Sequence, residues 1–147
     1  MSFLPHVAVV GAGAFGGWTA LRLRERGCRV TLIDAWGPGN ARASSGGETR
    51  ILRGIYGPDR IYVEWVVRSL AAWRETESRW GIRLYHPTGA LWLCGPGDTY
   101  VRSSLPLLEE AGLTATEIGP DDARRRFPQV GFEGIDRVFF EETAGYL

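Results

Sequence analysis

The chain has 147 residues, enough for one domain with a hydrophobic core, and its 44% hydrophobic and 23% charged residues are typical of a globular protein. Its 17 basic and 17 acidic residues balance, which does not indicate binding to nucleic acid or to an anionic membrane. The start lacks the basic region of a signal peptide, and no segment approaches the ~18 apolar residues of a membrane span. We therefore expect a cytoplasmic protein.

The two cysteines, Cys28 and Cys94, lie far apart, without a CxxC motif or a neighbouring group of histidines. This arrangement is typical of neither a disulfide framework nor a metal site, so we expect two buried thiols and no bound metal. All 17 basic residues are arginines, and lysine is absent from the chain.

The first 34 residues predict a strand, a helix and a second strand. The strands are expected over His6–Val10 and Arg29–Ile33, and the helix over residues 14–26. Gly27 is expected after the helix end, where a left-handed backbone is needed. Such a unit pairs its strands in parallel. Residues 35–45 have the composition of a loop.

The remainder of the chain predicts three further helices and three further strands. Asp59 is expected to cap a helix that runs to about residue 79. The side chains of this helix expected to face the core are Tyr62, Val66, Ser69, Leu70 and Trp73. The other helices are expected over 98–111, with Pro106 inside, and over 120–126; the strands are expected over 89–94, 114–118 and 137–140.

The pattern changes near Tyr85, from parallel α/β to shorter strands interrupted by glycine and proline. We therefore predict a boundary there, between a nucleotide-binding part (1–84) and a second region (85–147). Three tryptophans near helical spacing are expected to belong to the core rather than to a ligand-stacking site: Trp65, Trp73 and Trp80.

A GxGxxG motif follows the first strand and consists of Gly11, Gly13 and Gly16. In a dinucleotide-binding turn the first glycine permits a sharp turn, the second lets a pyrophosphate approach the backbone, and the third allows close packing of helix on strand. Asp34 ends the second strand 18 positions after Gly16, where a carboxylate accepts hydrogen bonds from ribose hydroxyls and repels a 2′-phosphate. The motif disfavours NADP but does not separate FAD from NAD. The alternative is a glycine-rich turn of an unrelated α/β protein.

Two arginines lie three residues apart in the segment SSGGETRILRGIYG, which runs over residues 44–57. A guanidinium can bind a carboxylate through two parallel hydrogen bonds, which fixes both the charge and the orientation of the ligand. Arg50 and Arg53 are therefore candidates for anion binding. The alternative is a pair of surface arginines that form ion pairs with Glu48 or Asp59.

Five stretches resemble one family of flavoenzymes; in chain order they are GAGAFGG, SSGGETRILRGIYG, VEWVVRSLAAWRE, YHPTGALWLCG and RRRFPQVGFEGIDRVFFEETAGYL. It is the amine-oxidising FAD-dependent family of the D-amino-acid oxidase superfamily, and the branch is that of monomeric sarcosine oxidase and N-methyltryptophan oxidase. The resemblance implies a Rossmann-like FAD-binding parallel sheet, followed by the start of a second, mixed-sheet substrate domain. It also implies oxidation of a secondary or N-methyl amino acid to an imine, with O2 giving hydrogen peroxide.

The same resemblance assigns roles to individual residues. The expected FAD-binding residues of the glycine turn and the acid after it are Gly11, Gly13, Ala14, Phe15, Gly16 and Asp34. Those of the loop expected beside the flavin are Ser44, Ser45, Thr49 and Arg50. Arg53 is expected to receive the substrate carboxylate. Gly46 departs from the family, whose sarcosine oxidases tend to have histidine there.

The resemblance also implies that the family's proteins are more than twice this length. We therefore expect an N-terminal portion, in which 1–84 begins the FAD-binding domain and 85–147 begins the substrate domain and its return. No catalytic residue is assigned within it, since the family's lysine that assists O2 has no counterpart and neither cysteine matches a flavin-linking position. On its own, the chain is expected to be poorly soluble or partly disordered after about Tyr85. The oligomeric state is not indicated. An NAD-dependent dehydrogenase and a non-catalytic nucleotide-binding module are the alternatives.

Overall fold

The computed structural model describes residues 5–147 and contains two compact units. The first unit ends at Arg50, and the second is Ile51–Leu147. This division differs from the domain boundary expected near residue 85, which stays a prediction. None of the helices in the described range has the length and apolarity that a membrane crossing requires.

The first unit has the predicted order of strand, helix and strand. β1 is His6–Val10, α1 is Ala14–Glu25 and β2 is Arg29–Ile33. The two strands pair in parallel, with β1 and β2 in register from their first residues to their last. Gly27 follows the helix with a φ of 84°, as expected for a residue that reverses the chain after a helix end. The predicted α/β unit is therefore confirmed.

The second unit combines three helices with five short strands. Its elements, in chain order, are β3 Ile51–Leu52, α2 Arg60–Trp80, β4 Ala90–Cys94, α3 Tyr100–Glu110, β5 Ala115–Ile118, α4 Pro120–Arg126, β6 Arg137–Glu141 and β7 Gly145–Tyr146. β6 lies between β4 and β5 and is antiparallel to both, while β3 pairs antiparallel with β7. The two-residue strands β3 and β7 were not predicted, so β6 is not the final strand.

The long helix α2 begins after Asp59, as predicted, but the Asp59 side chain makes no capping hydrogen bond. The buried stripe of α2 includes Val63, Val66 and Leu70, which are spaced three and four residues apart. The prediction was wrong for Tyr62, which is 42% exposed and stacks on the ring of Tyr56 instead.

The prediction that three tryptophans belong to the core was wrong for two of them. Trp65 and Trp80 are 50% and 54% exposed, whereas Trp73 packs against the cluster around Leu70 and Tyr85. Trp65 lies two residues after Val63 and is therefore turned away from the buried stripe.

The main core of the second unit surrounds Phe139, in the middle strand β6. The buried side chains of this cluster are Ile55, Val63, Cys94, Val101, Leu108 and Phe139. Cys94 and Cys28 are both buried free thiols, as predicted. Pro106 lies inside α3, which starts two residues later than expected, at Tyr100.

Val63 and Val67 lie one turn apart on α2 and form a matched pair for a stability test. Val63 is 2% exposed and belongs to the main core, whereas Val67 is 37% exposed. We expect Val63→Ala to lower the free energy of unfolding by about 2 kcal/mol, because it removes two buried methyl groups and leaves a cavity. Val67→Ala should change it by less than about 0.5 kcal/mol, since alanine's higher helix propensity offsets the smaller loss of contact. Urea unfolding of both variants measures the difference, and equal losses would contradict this account of the core.

Candidate functional site

The glycine turn of the first unit owes its shape to two of its three glycines. Gly11 has a φ of 97°, a conformation that L side chains rarely adopt, and its N–H donates to the Ile33 carbonyl at 2.7 Å. A Cβ added at Gly16 would overlap the carbonyl oxygen of Gly11. The sharp turn at the first glycine and the close approach of helix to turn at the third are therefore both present.

Gly13 is different, because nothing in the described part of the protein requires a glycine there. A Cβ at this position would meet only the Cβ of Ala43, at an ordinary contact distance of 3.8 Å. Gly13 is the N-cap of α1; no side chain caps this end of the helix, and its first turn has no acidic residue. Ala14 and Phe15 are both exposed in that turn, Phe15 by 91%. An uncapped helix N-terminus beside a glycine backbone fits a pyrophosphate group.

Asp34 joins the end of β2 to this turn. One carboxylate oxygen accepts from the N–H of Ala12 at 2.7 Å, and the other accepts from the N–H of Trp36 at 2.8 Å. These hydrogen bonds, that of Ala12 foremost, lower the pKa of the Asp34 carboxyl below its usual value. The side chain is therefore a carboxylate at neutral pH, with lone pairs left over for hydroxyl donors.

Asn40 organises the loop that follows Asp34, and sequence reasoning missed it. Its side-chain amide donates to the Gly37 carbonyl at 2.7 Å, and its carbonyl oxygen accepts from the N–H groups of Arg42 and Ala43 at 3.0 and 3.1 Å. The signal that could have identified it is the turn sequence GPGN, which ends in this asparagine. Asparagine side chains in turns commonly hydrogen-bond to the backbone a few residues further on.

The serine- and glycine-rich loop ends at Arg50, whose guanidinium folds back on its own segment. It donates to the carbonyl of Thr49 at 2.5 Å and to that of Gly46. A Cβ at Gly46 would lie 2.7 Å from the Asn40 carbonyl oxygen, so this loop conformation has no room for a side chain at that position. Ser44 is exposed and Ser45 is half-buried in the same loop.

In the second unit, Arg53 is held between two aromatic rings. Its Cζ lies 4.6 Å from the ring centre of Tyr56 and 5.0 Å from that of Trp92, and one N–H donates to the Ile55 carbonyl at 3.2 Å. Within its own unit of the described range, Arg53 forms no ion pair with Asp59 and Arg50 forms none with Glu48, which argues against surface pairs of that kind. The Arg53 guanidinium thus keeps N–H donors for an anion, while the rings of Tyr56 and Trp92 restrict its motion.

A buried carboxylate, Glu141, lies close to this arginine. It is fully buried, and it accepts hydrogen bonds from the N–H of Gly54 and from the indole N–H of Trp92, the latter at 3.0 Å. Burial raises the pKa of its carboxyl above the usual value, although these hydrogen bonds and the charge of Arg53 favour the ionised form.

Sequence reasoning did not assign a role to Glu141. This residue and Glu142 point to opposite faces of β6, since Glu142 is exposed and accepts from the Thr116 hydroxyl at 2.7 Å. The signal that could have identified Glu141 is its position two residues after Phe139, on the buried face of an apolar strand.

One protein-family profile, described as FAD dependent oxidoreductase and abbreviated DAO, matches residues 6–147. The chain belongs to this family. The predicted family and its FAD dependence are therefore confirmed at that level.

Curated relatives of the DAO family match nearly the whole chain. Monomeric sarcosine oxidase of Bacillus sp. (strain B-0618) is 31% identical over 142 residues, which are 96% of this chain and 36% of that protein. N-methyl-L-tryptophan oxidase of Yersinia pestis (strain Pestoides F) is 27% identical over 139 residues, which are 95% of this chain and 38% of that protein. The chain spans little more than a third of the length of these relatives.

Solved structures of the DAO fold agree with the fold described above. NikD, an amino acid oxidase essential for nikkomycin biosynthesis, superposes with a TM-score of 0.77 at 25% identity, over 99% of this chain and 38% of its own. The L-proline dehydrogenase from P. horikoshii shares the fold, with a TM-score of 0.75 at 20% identity, over 99% of this chain and 38% of its own.

The expected site residues of this DAO chain fall into two groups, each within one unit. The first unit contains all the expected cofactor residues, namely Gly11, Gly13, Ala14, Phe15, Gly16, Asp34, Ser44, Ser45, Thr49 and Arg50, of which Asp34 is bonded directly to the glycine turn. The second unit contains Arg53, together with three neighbours that were not predicted: Tyr56, Trp92 and Glu141. The roles of these residues towards ligands stay predictions.

Gly16 and Gly17 offer a matched test of the glycine turn. Gly16→Ala should destabilise the protein and weaken FAD binding by at least about tenfold, because its Cβ would overlap the Gly11 carbonyl and separate α1 from the turn. In the described part of the protein, a Cβ at Gly17 would meet nothing within 4 Å outside its own helix. Gly17→Ala should therefore raise the free energy of unfolding by about 0.5–1 kcal/mol. Thermal unfolding and FAD titration of both variants measure this; unchanged FAD affinity in Gly16→Ala would count against the turn as the binding element.

Proposed function

We propose that this chain is part of an FAD-dependent enzyme that oxidises the C–N bond of a secondary or N-methyl amino acid to an imine. Membership of the DAO family supports FAD as cofactor. The names of its relatives, monomeric sarcosine oxidase and N-methyl-L-tryptophan oxidase, support N-methylated amino acids as the substrate class. The chemistry that bound FAD supplies is acceptance of a hydride from the substrate and transfer of the electrons to O2, which gives hydrogen peroxide. We expect the enzyme in the cytoplasm.

The glycine turn would hold the ADP half of FAD. Backbone N–H groups at the uncapped start of α1, around Gly13, Ala14 and Phe15, would bind the pyrophosphate. The Asp34 carboxylate would accept hydrogen bonds from the ribose hydroxyls, which its lowered pKa favours by keeping it ionised. The loop around Ser44, Ser45, Thr49 and Arg50 would line the flavin.

Arg53 would bind the substrate carboxylate, and its surroundings are the observation that carries this proposal. Its guanidinium is restrained by two rings and one backbone carbonyl, yet it forms no ion pair within the second unit. A restrained guanidinium can bind a carboxylate through two hydrogen bonds at little cost in side-chain entropy. Holding the carboxylate at a fixed place orients the amine and its reacting carbon, which is the contribution that this chain can make to a hydride transfer.

The cofactor separates this proposal from its alternatives. The purified full-length protein should be yellow and show the two visible absorption bands of an oxidised flavin. It should also release hydrogen peroxide when N-methylglycine is added. Binding of NADH by a colourless protein would show a nicotinamide-dependent dehydrogenase instead, and bound flavin without turnover of any N-methyl amino acid would show a non-catalytic module.

Replacement of Arg53 tests its role in substrate binding. Arg53→Ala should lower kcat/KM for N-methylglycine by about a hundredfold or more, because two charge-assisted hydrogen bonds are lost. Arg60→Ala is the control, since Arg60 is an exposed arginine of α2 that pairs with Glu110 at 2.7 Å. Steady-state peroxide assays compare the variants at equal flavin content. Equal kcat/KM values for Arg53→Ala and the unmodified protein would remove Arg53 from the substrate site.

A further inference from the structure

We infer that Glu141 is a positioning residue for Arg53: its buried carboxylate holds the backbone and the indole ring against which the guanidinium rests. This inference rests on the proposed function, in which Arg53 binds the substrate carboxylate. Glu141 itself would touch neither the substrate nor the cofactor.

The first contact runs through the backbone that follows Arg53. Glu141 accepts from the N–H of Gly54, the next residue along the chain, and the N–H of Ile55 also favours its ionised form. The carbonyl of Ile55 in turn accepts from the Arg53 guanidinium at 3.2 Å. One carboxylate therefore restrains the peptide groups that carry Arg53 and those that orient its side chain.

The second contact runs through Trp92. Its indole N–H donates to the other oxygen of Glu141 at 3.0 Å, and its ring centre lies 5.0 Å from the Arg53 Cζ. A single hydrogen bond at the edge of the indole fixes the rotation of the ring, and the ring face is the surface that the cation contacts. Loss of this hydrogen bond would free one of the two walls around Arg53.

Glu141 lies near Arg53 without taking up the hydrogen-bond donors of its guanidinium. Burial raises the pKa of this carboxyl, and the charge of Arg53 favours its ionised form, yet the two side chains do not form an ion pair in the described structure. The donors of the guanidinium consequently stay available, while a nearby negative charge balances its own. A carboxylate in direct contact would instead compete with the substrate.

Packing of the strand alone does not account for a carboxylate at this position. Glu141 faces Ala90 on β4 and Ala115 on β5, two small residues that leave room for its side chain within the sheet. Burying an ionisable group costs free energy unless every hydrogen bond is satisfied, and an apolar residue would serve the core as well or better. Its bonds to Gly54 and Trp92 both lead to Arg53, which is why we assign it to the site.

The test compares glutamine replacements at two adjacent glutamates in the full-length, FAD-bound protein. Glu141→Gln keeps the size of the side chain but leaves only one acceptor oxygen, whereas the N–H groups of Gly54 and Trp92 each donate to a different oxygen of the glutamate. It should raise the dissociation constant of propionate, a carboxylate without an amine, by roughly tenfold in isothermal calorimetry. Glu142→Gln, on the exposed face of the same strand, should leave it within about twofold. Equal effects at both positions, or no effect at Glu141, would overturn the inference.

A double-mutant cycle separates this inference from the proposed function. If Glu141 acts through Arg53, Glu141→Gln should lower kcat/KM for N-methylglycine about tenfold in the unmodified protein and by less than twofold in Arg53→Ala. An equal loss in both backgrounds would show a general structural role and overturn the inference. If kcat/KM is unchanged in Arg53→Ala itself, the proposed function is contradicted. If kcat/KM falls in Arg53→Ala but not in Glu141→Gln, only the positioning role of Glu141 is contradicted.

Trp92→Phe provides a second variant should Glu141→Gln fail to fold. It keeps an aromatic face beside Arg53 but removes the indole N–H that Glu141 accepts. We expect the dissociation constant of propionate to rise several-fold at an unchanged flavin content. An unchanged constant would show that the hydrogen bond between Glu141 and Trp92 does not position Arg53.

Discussion

The hydrogen bond from the Ala12 N–H to the Asp34 carboxylate connects the ends of the two parallel strands in the first unit. Parallel strands that share an edge bring their carboxyl ends together, and here the two ends are joined by an ionised side chain. The bond has two effects. It holds the glycine turn against β2, and it keeps the pKa of Asp34 low, so that a negative charge lies beside the start of α1. The turn, the helix start and the acid are thus one structure, and the placement of a nucleotide would depend on all three.

The second unit uses a carboxylate in another way. Asp34 is partly exposed and accepts hydrogen bonds from backbone N–H groups of a turn. Glu141 is buried at the end of β6, the middle strand of its sheet, and accepts from a loop N–H and from an indole N–H. Both are acceptors for backbone N–H groups that no helix or strand satisfies. Each unit of the chain therefore places its candidate ligand-binding segment by means of a carboxylate on or just after a strand.

Local pattern was sufficient for most of the secondary structure and for the glycine turn. The strand–helix–strand order, Gly27 and the GxGxxG motif depend on residues close together in sequence, which is why they could be predicted. The environment of Arg53 could not be, because Trp92 and Glu141 are brought to it by the pairing of β4 with β6. Trp65 shows the same limit on a smaller scale: its spacing from the other tryptophans is nearly helical, but only the packing of α2 decides which side is buried. Asn40 was missed because its role lies in loop hydrogen bonds, which hydrophobic periodicity does not report.

The two alanines opposite Glu141 give protein engineering an indirect way to adjust the site. Ala90 on β4 and Ala115 on β5 lie directly opposite Glu141, on either side of β6. Directly opposite side chains on one face of a sheet lie within contact distance of each other. Exchanging either alanine for serine or valine would change the polarity or the space around the carboxylate while leaving Arg53, Tyr56 and Trp92 untouched. The strength with which this chain would hold a carboxylate ligand could in this way be adjusted from the two strands beside β6.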